Sequence, residues 1–349
     1  MNTGELQQQL FTAVKGKIDK NLSPADEIAK LLNISSDSAY RRMRGEITVP
    51  LDELHILCKH YQISLDRLMS VQPTGIVFQG QYVDKNFKFR EYLVSVMNDM
   101  AYMNSFKEKE FFYMCKDLPI FHQYHIREIA AFKWFFWMKS YFEFPEFEDK
   151  QFKFELHPDE YYDLEQKILE LYNQMPSTEM WNLETMNIFF RQIEFYRDSE
   201  VFQSDKDILR LYEAIEKLWD HLEEQAALGY KFKYGDPNQT PMGPFRMYFN
   251  EVLMGDNNMM VMLDGNCMTY VSHTTINFMR TMDKNFNDNM YNHVHNQMRR
   301  STLISEVSEK ERSRFFRIIR EKAFNKFTLI RFTGDDRFLL EGSLSEVEA

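Results

Sequence analysis

Between Ser36 and Arg44 the chain reads Ser-Asp-Ser-Ala-Tyr-Arg-Arg-Met-Arg, a dense run of groups that hydrogen-bond to nucleic acid. Placed on a helix at about 100° per residue, Ala39 and Met43 fall within about 40° of each other and face inward. Asp37, Tyr40, Arg41 and Arg44 occupy an arc roughly 100° to 200° away, with Ser38 near its edge. Arginine can meet the guanine edge with two parallel hydrogen bonds, and Ser or Asp can meet other base or phosphate groups. The plainer alternative is an ordinary solvated basic helix, and the caps and turn around the run argue against it.

Other constellations carry weaker chemistry. His122 and His125 lie one helical turn apart with Cys115 nearby in sequence, which is metal-ligand spacing. Two partly exposed histidines at a helix start is the plainer reading, and we expect no metal and no cofactor. His293 and His295 are two apart, so on a helix they diverge by about 200° and read as surface groups. Arg312, Arg314, Arg317 and Arg320 form a basic helix whose expected role is a solvated or salt-bridged face. No glycine-rich phosphate loop, nucleophile elbow or HExxH sequence occurs, and we assign no catalytic residues.

The elements that would hold the Ser36–Arg44 face follow from periodicity. Leu6, Leu10, Val14 and Ile18 keep one apolar face on a helix from about Gly4 to Lys20. Ser23, Pro24 and Asp26 resemble the start of a second helix, Pro24 to Leu32, with Ser23 and Asp26 as a capping box. Asn33 tolerates the left-handed turn that must follow, and Ser35 is placed to cap a third helix that stops at Gly45. Two short helices joined by a three-residue turn make a helix-turn-helix.

This segment resembles the Cro and phage-repressor (XRE) type of helix-turn-helix. The residues that carry the likeness are Ala25-Asp-Glu-Ile-Ala-Lys-Leu-Leu-Asn-Ile-Ser35 and Ser36-Asp-Ser-Ala-Tyr-Arg-Arg-Met-Arg-Gly45. A loop with Pro50, a fourth helix Leu51 to Tyr61 and the tail Ile63 to Leu68 continue it, so it covers about residues 5 to 70. The chain departs from the pattern at Arg42, where an aromatic or aliphatic residue is usual, and at Met43, where an acid is usual. The resemblance implies that Ser36, Asp37, Tyr40 and Arg41 face bases, and that Ser23, Arg42 and Arg44 meet phosphates. Ser35 and Ser38 complete the expected DNA-binding set.

The rest of the chain is built differently. Lys plus Arg number 42 against 53 Asp plus Glu, and the first 70 residues hold 9 of each, so the charge of −11 lies entirely beyond them. Of the 53 aromatic residues only Phe11, Tyr40 and Tyr61 precede residue 71. A neutral module binds duplex weakly as one copy, because salt-sensitive affinity scales with the phosphates neutralised; a homodimer on two half-sites is the natural remedy. The acidic body should be repelled by the duplex, leaving Ser36 to Arg44 as the main contact.

We therefore expect a helix-turn-helix domain at 1–70, a linker at 71–85 and a helix-rich α+β domain at 86–349. Its helices are expected at Phe87–Phe106, Phe121–Phe142, from Pro158 through Met175, around Met186–Ile193 and Ile208–Leu222, near Phe286–Leu303, and from Glu309 to Phe327 behind a Ser308 cap. Phe111–Cys115 reads as a strand, Pro176 as a join between antiparallel helices, and Phe245–Met254, Met259–Leu263 and Cys267–His273 as a late three-stranded antiparallel meander. Nineteen methionines beside 50 aromatics beyond residue 70 suit either a large core with a dimer interface or an adaptable apolar pocket. The tetratricopeptide pattern is not visible. The most apolar window, Ile129–Met138, is ten residues long and contains Lys133, far short of a membrane span. With no signal-like start and three scattered cysteines, a cytoplasmic chain is expected.

The expected function is a sequence-specific DNA-binding transcriptional regulator acting on double-stranded DNA. Its larger domain would dimerise or sense a small-molecule or peptide effector. Two alternatives stand beside it: an antitoxin-like module that uses the helix-turn-helix to hold a protein partner, and an enzyme domain carrying an N-terminal regulatory helix-turn-helix.

Overall fold

The computed structural model describes residues 3–19, 22–61, 63–65, 75–80, 87–252, 255–274 and 276–333. Helices and a mixed sheet make this an α+β protein, divided into two compact units, Met1–Ile76 and Val77–Ala349. The division falls inside the expected linker. Among the described residues no helix is long and apolar enough to cross a membrane.

Among the described residues four helices build the first unit: α1 (Thr3–Lys15), α2 (Pro24–Leu32), α3 (Ser36–Met43) and α4 (Leu51–Tyr61). Leu10, Phe11 and Val14 of α1 meet Ile28, Ala29, Ala39 and Leu57 in a small closed core. The first helix stops earlier than expected, in a turn at Gly16, a residue that weakens a helix interior. Asn33 is left-handed at φ 53°, and the Ile34 amide returns to the Ala29 carbonyl at 3.0 Å, which closes α2 and redirects the chain into α3. Ser35 caps α3, accepting the Ser38 amide at 3.2 Å. Ser23 is the cap residue of α2 but makes no side-chain cap bond, so the expected capping box does not form. Asp66 to Leu68 of the expected tail lie outside the described residues, while Ile63 packs against the core.

The second unit surrounds a seven-stranded sheet ordered β6-β5-β4-β1-β2-β3-β7. Strand β1 (Lys109–Cys115) follows α5 (Phe89–Asn104) and leads through α6 (Ile120–Gln123), α7 (Arg127–Phe136) and α8 (Asp159–Gln174) to β2 (Ser177–Trp181), parallel to β1. A second helical crossover, α9 (Asn187–Asp198) and α10 (Asp205–Leu228), leads to β3 (Phe245–Phe249), parallel to β2. Parallel neighbours need such crossovers. Then β4 (Asn258–Leu263), β5 (Asn266–Ser272) and β6 (Phe278–Thr281) run antiparallel, with β4 against β1. Helix α11 (Lys284–Arg299), the short β7 (Thr302–Leu303) and α12 (Glu309–Thr333) follow.

Four expectations change here. The meander does not hold as composed: the strand at Phe245 ends at Phe249 and pairs with β2 and β7, with β1 and β2 between it and β4. Asn250 still donates its amide to the Trp181 carbonyl at 2.8 Å, while its side chain donates to Gln297 and Ser301. Pro176 is no helix-to-helix join, since a fully buried strand follows it. The Phe121–Phe142 helix is broken after Gln123; Gln166 takes the Tyr124 carbonyl at 2.6 Å, and Ile126 is extended before α7 begins. Finally, part of the linker is sheet: Gln79 and Arg280 exchange two backbone bonds of 2.7 Å, adding residue 79 to the β6 edge. Most of 71–85 otherwise lies outside the described residues.

One sheet face carries Phe111, Tyr113, Trp181 and Phe245 into the main aromatic core with α7, α8 and α10. The other, with Phe112, Met114, Met180 and Met260, is covered by Val294 of α11.

Candidate nucleic-acid interface

Of the expected contact residues, Ser23, Ser35, Ser36, Asp37, Tyr40, Arg41 and Arg44 are exposed, and Ser38 is half-buried. Arg44 lies over the Tyr40 ring at 4.5 Å and donates to its hydroxyl at 3.1 Å, so the two side chains form one cationic unit. Hydrogen bonding to Tyr40 is the first cause that raises the Arg44 guanidinium above its ordinary value, so this charge is permanent. Arg41 stands beside Glu46 at 3.5 Å and Arg44 at 3.7 Å from the same carboxylate.

At the start of α3 the Ser36 hydroxyl donates to Asp26 at 2.7 Å. Bonds from Ser36 and then Ser23 hold the Asp26 carboxyl below its ordinary value. The two serines are thus drawn to one carboxylate, which fixes the hydroxyls of α2 and α3 relative to each other. The Ser35 hydroxyl donates to the Ser38 hydroxyl at 2.9 Å, so both take part in the cap.

Arg42 differs from its expected role. Its side chain is only 13% exposed and makes bonds of 2.6 and 2.8 Å to Glu53, plus one of 3.3 Å to the Ser38 carbonyl. The reason is rotational: Arg42 sits about 100° from Arg41, which turns it toward α4. The side chain expected at a phosphate is thus engaged by Glu53 of α4 in this structure. Gln7 was not singled out by sequence, yet its amide donates to the Arg42 and Ile47 carbonyls, both at 2.7 Å, and its carbonyl accepts the Val49 amide at 3.3 Å. It clamps the turn that follows α3. Its position on the Leu6–Leu10 face of α1 was the available signal.

The second unit holds a buried polar cluster that spacing alone did not reveal. His122 and His125, expected to be partly exposed, are both buried. His122 Nε2 lies 2.9 Å from both oxygens of Glu179 in β2, Trp181 Nε1 donates to Glu179 at 2.7 Å, and the Tyr172 hydroxyl donates to it as well. Burial pushes the Glu179 carboxyl up, but the charge and bond of His122, the Tyr172 hydroxyl and Lys231 outweigh it and hold it below its ordinary value. Lys231, also buried, donates to the Tyr172 and Met175 carbonyls and the Ser177 hydroxyl; burial lowers it to about 7. The His125 ring packs on His221 with centroids 4.5 Å apart. Among the described residues no trio of His, Cys, Asp or Glu is arranged to hold a metal. Cys58, Cys115 and Cys267 are all free thiols.

The basic helix α12 is engaged within its own unit. Arg312 donates to the Ile304 and Val307 carbonyls, Arg314 pairs with Glu251 and Glu311, and Arg320 pairs with Asp220 and Glu223. Compared with known proteins, the chain matches no family model, no curated protein and no solved structure.

Proposed function

We propose that the chain is a sequence-specific DNA-binding transcriptional regulator that reads the major groove with α3. In this reading α2 and α3 are a helix-turn-helix of the Cro and phage-repressor type. The observation that carries it is the outward face of α3, where Arg41 and the stacked Tyr40–Arg44 pair stand exposed beside Asp37 on a helix closed at both ends. An arginine able to reach a guanine edge, next to a second cation able to reach a phosphate, separates sequence preference from affinity. The neutral module would act as a homodimer, and the aromatic second unit would dimerise or respond to a small-molecule or peptide effector. Selection of bound fragments from random duplex DNA, repeated with Arg41→Ala, tests the reading. A selected motif that changes with the substitution is expected; the same motif from both proteins would remove Arg41 from the recognition face.

A further inference from the structure

Glu46 follows Gly45, which is left-handed at φ 80°. The Gly45 amide returns to the Arg42 carbonyl at 3.0 Å and the Glu46 amide to the Arg41 carbonyl at 2.9 Å, a closing turn that fixes where Glu46 departs from the helix. Its carboxylate consequently spans two guanidinium groups: Oε2 is 3.5 Å from Arg41 Nε and Oε1 is 3.7 Å from Arg44 Nη1. Two oxygens of one anion thus sit between the two exposed cations, Arg41 and Arg44. All three side chains remain about half exposed, and ion pairs in that setting are weak enough to be exchanged.

We propose that Glu46 is an internal counter-anion of the recognition helix: it neutralises Arg41 and Arg44 in the free protein and is displaced from both when duplex DNA binds. This rests on the DNA-binding reading above and adds how that binding is limited. Displacement opposes binding to every duplex alike. Glu46 therefore lowers affinity for selected and random duplex by the same factor, without setting sequence preference.

The test is a salt titration of duplex binding by the full chain and by Glu46→Gln, with a selected and a random duplex. Asp52→Asn, which removes an exposed carboxylate of α4 outside this arrangement, controls for net charge. Glu46→Gln should tighten both duplexes by about fivefold, which is about 1 kcal/mol, and steepen the salt dependence by up to about one unit. Asp52→Asn should change affinity less than twofold. In an Arg41→Ala background most of the gain should disappear. Equal gains from Glu46→Gln and Asp52→Asn, or no gain from Glu46→Gln while the unaltered chain binds, would overturn the counter-anion role alone. Absence of duplex binding by every variant, with the helical circular dichroism intact, would overturn the DNA-binding reading and this inference with it.

Discussion

Arg42 and Glu53 meet through two hydrogen bonds, of 2.6 and 2.8 Å, that tie α3 to α4 while Arg41, the next residue back, points to solvent. Adjacent arginines therefore do different work, one holding the helix and the other presented by it. Arg42→Ala should lower the stability of the first unit by about 1–3 kcal/mol, the scale of losing charge-assisted bonds and leaving Glu53 without its partner. Hydrogen exchange of the α3 and α4 amides in the full chain measures this. If exchange stays unchanged while the salt dependence of duplex binding weakens by about one unit, Arg42 is a phosphate contact after all.

Gln7 offers a second check on how α3 is held. Gln7→Leu keeps the volume and removes three bonds, leaving the Arg42 and Ile47 carbonyls and the Val49 amide without it. A loss of about 1–3 kcal/mol is expected, with exchange of the Val49 amide accelerating most. Val49 exchange at the original rate would mean that the turn after α3 is held without Gln7.

Acid should destabilise the second unit through its buried histidines. Burial, then the neighbouring His122 charge, lowers His221 from 6.5 to about 3. Burial, then His221 and His122, takes His125 well below its ordinary value. Unfolded, each ring takes a proton near pH 6.5; folded, each stays neutral far lower. Between those values the unfolded chain binds more protons, so stability falls as pH falls, by up to about 1.4 kcal/mol per pH unit for each histidine. Glu179, depressed when folded, adds a loss of the same sign below its ordinary value of 4.5. The thermal midpoint of this unit should therefore drop from pH 6.5 to 4.5. Neither His125 ring nitrogen has a hydrogen-bond partner among the described residues, so His125→Phe should raise the midpoint at neutral pH and flatten its slope. A slope unchanged by that substitution would assign the acid sensitivity to other groups.

How much of this was readable beforehand depended on where each signal was local. The four helices of the first unit, the Asn33 turn and the Gly45 stop are set by residues within a few positions of one another, and the structure places them close to where periodicity and caps put them. The exposed arc of Tyr40, Arg41 and Arg44 followed from the same arithmetic. Arg42 did not, because its partner Glu53 is on another helix. In the second unit, β2 was missed because Ser177, Thr178 and Glu179 look like a polar join. Lys231 and His122 arrive from distant sequence to meet Ser177 and Glu179, Tyr172 reaches Glu179 from the preceding helix, and Thr178 donates to Glu110 of β1. The late meander was misassembled for a related reason: alternation locates strands, whereas the insertion of β1 and β2 between β4 and β3 is decided by helical crossovers.

The pairing of β1 with β4 also orders events in time. Phe112 lies opposite Met260, and every residue between them must be made before that ladder can close. The first unit needs no such wait, since among the described residues its core draws on nothing beyond Ile63. On a growing chain the small helical unit can fold early, while β1, with its Phe111-Phe112-Tyr113 run, stays without its antiparallel neighbour. That interval is when the larger unit is most exposed to misassociation, and it is the step at which a chaperone would have most to protect.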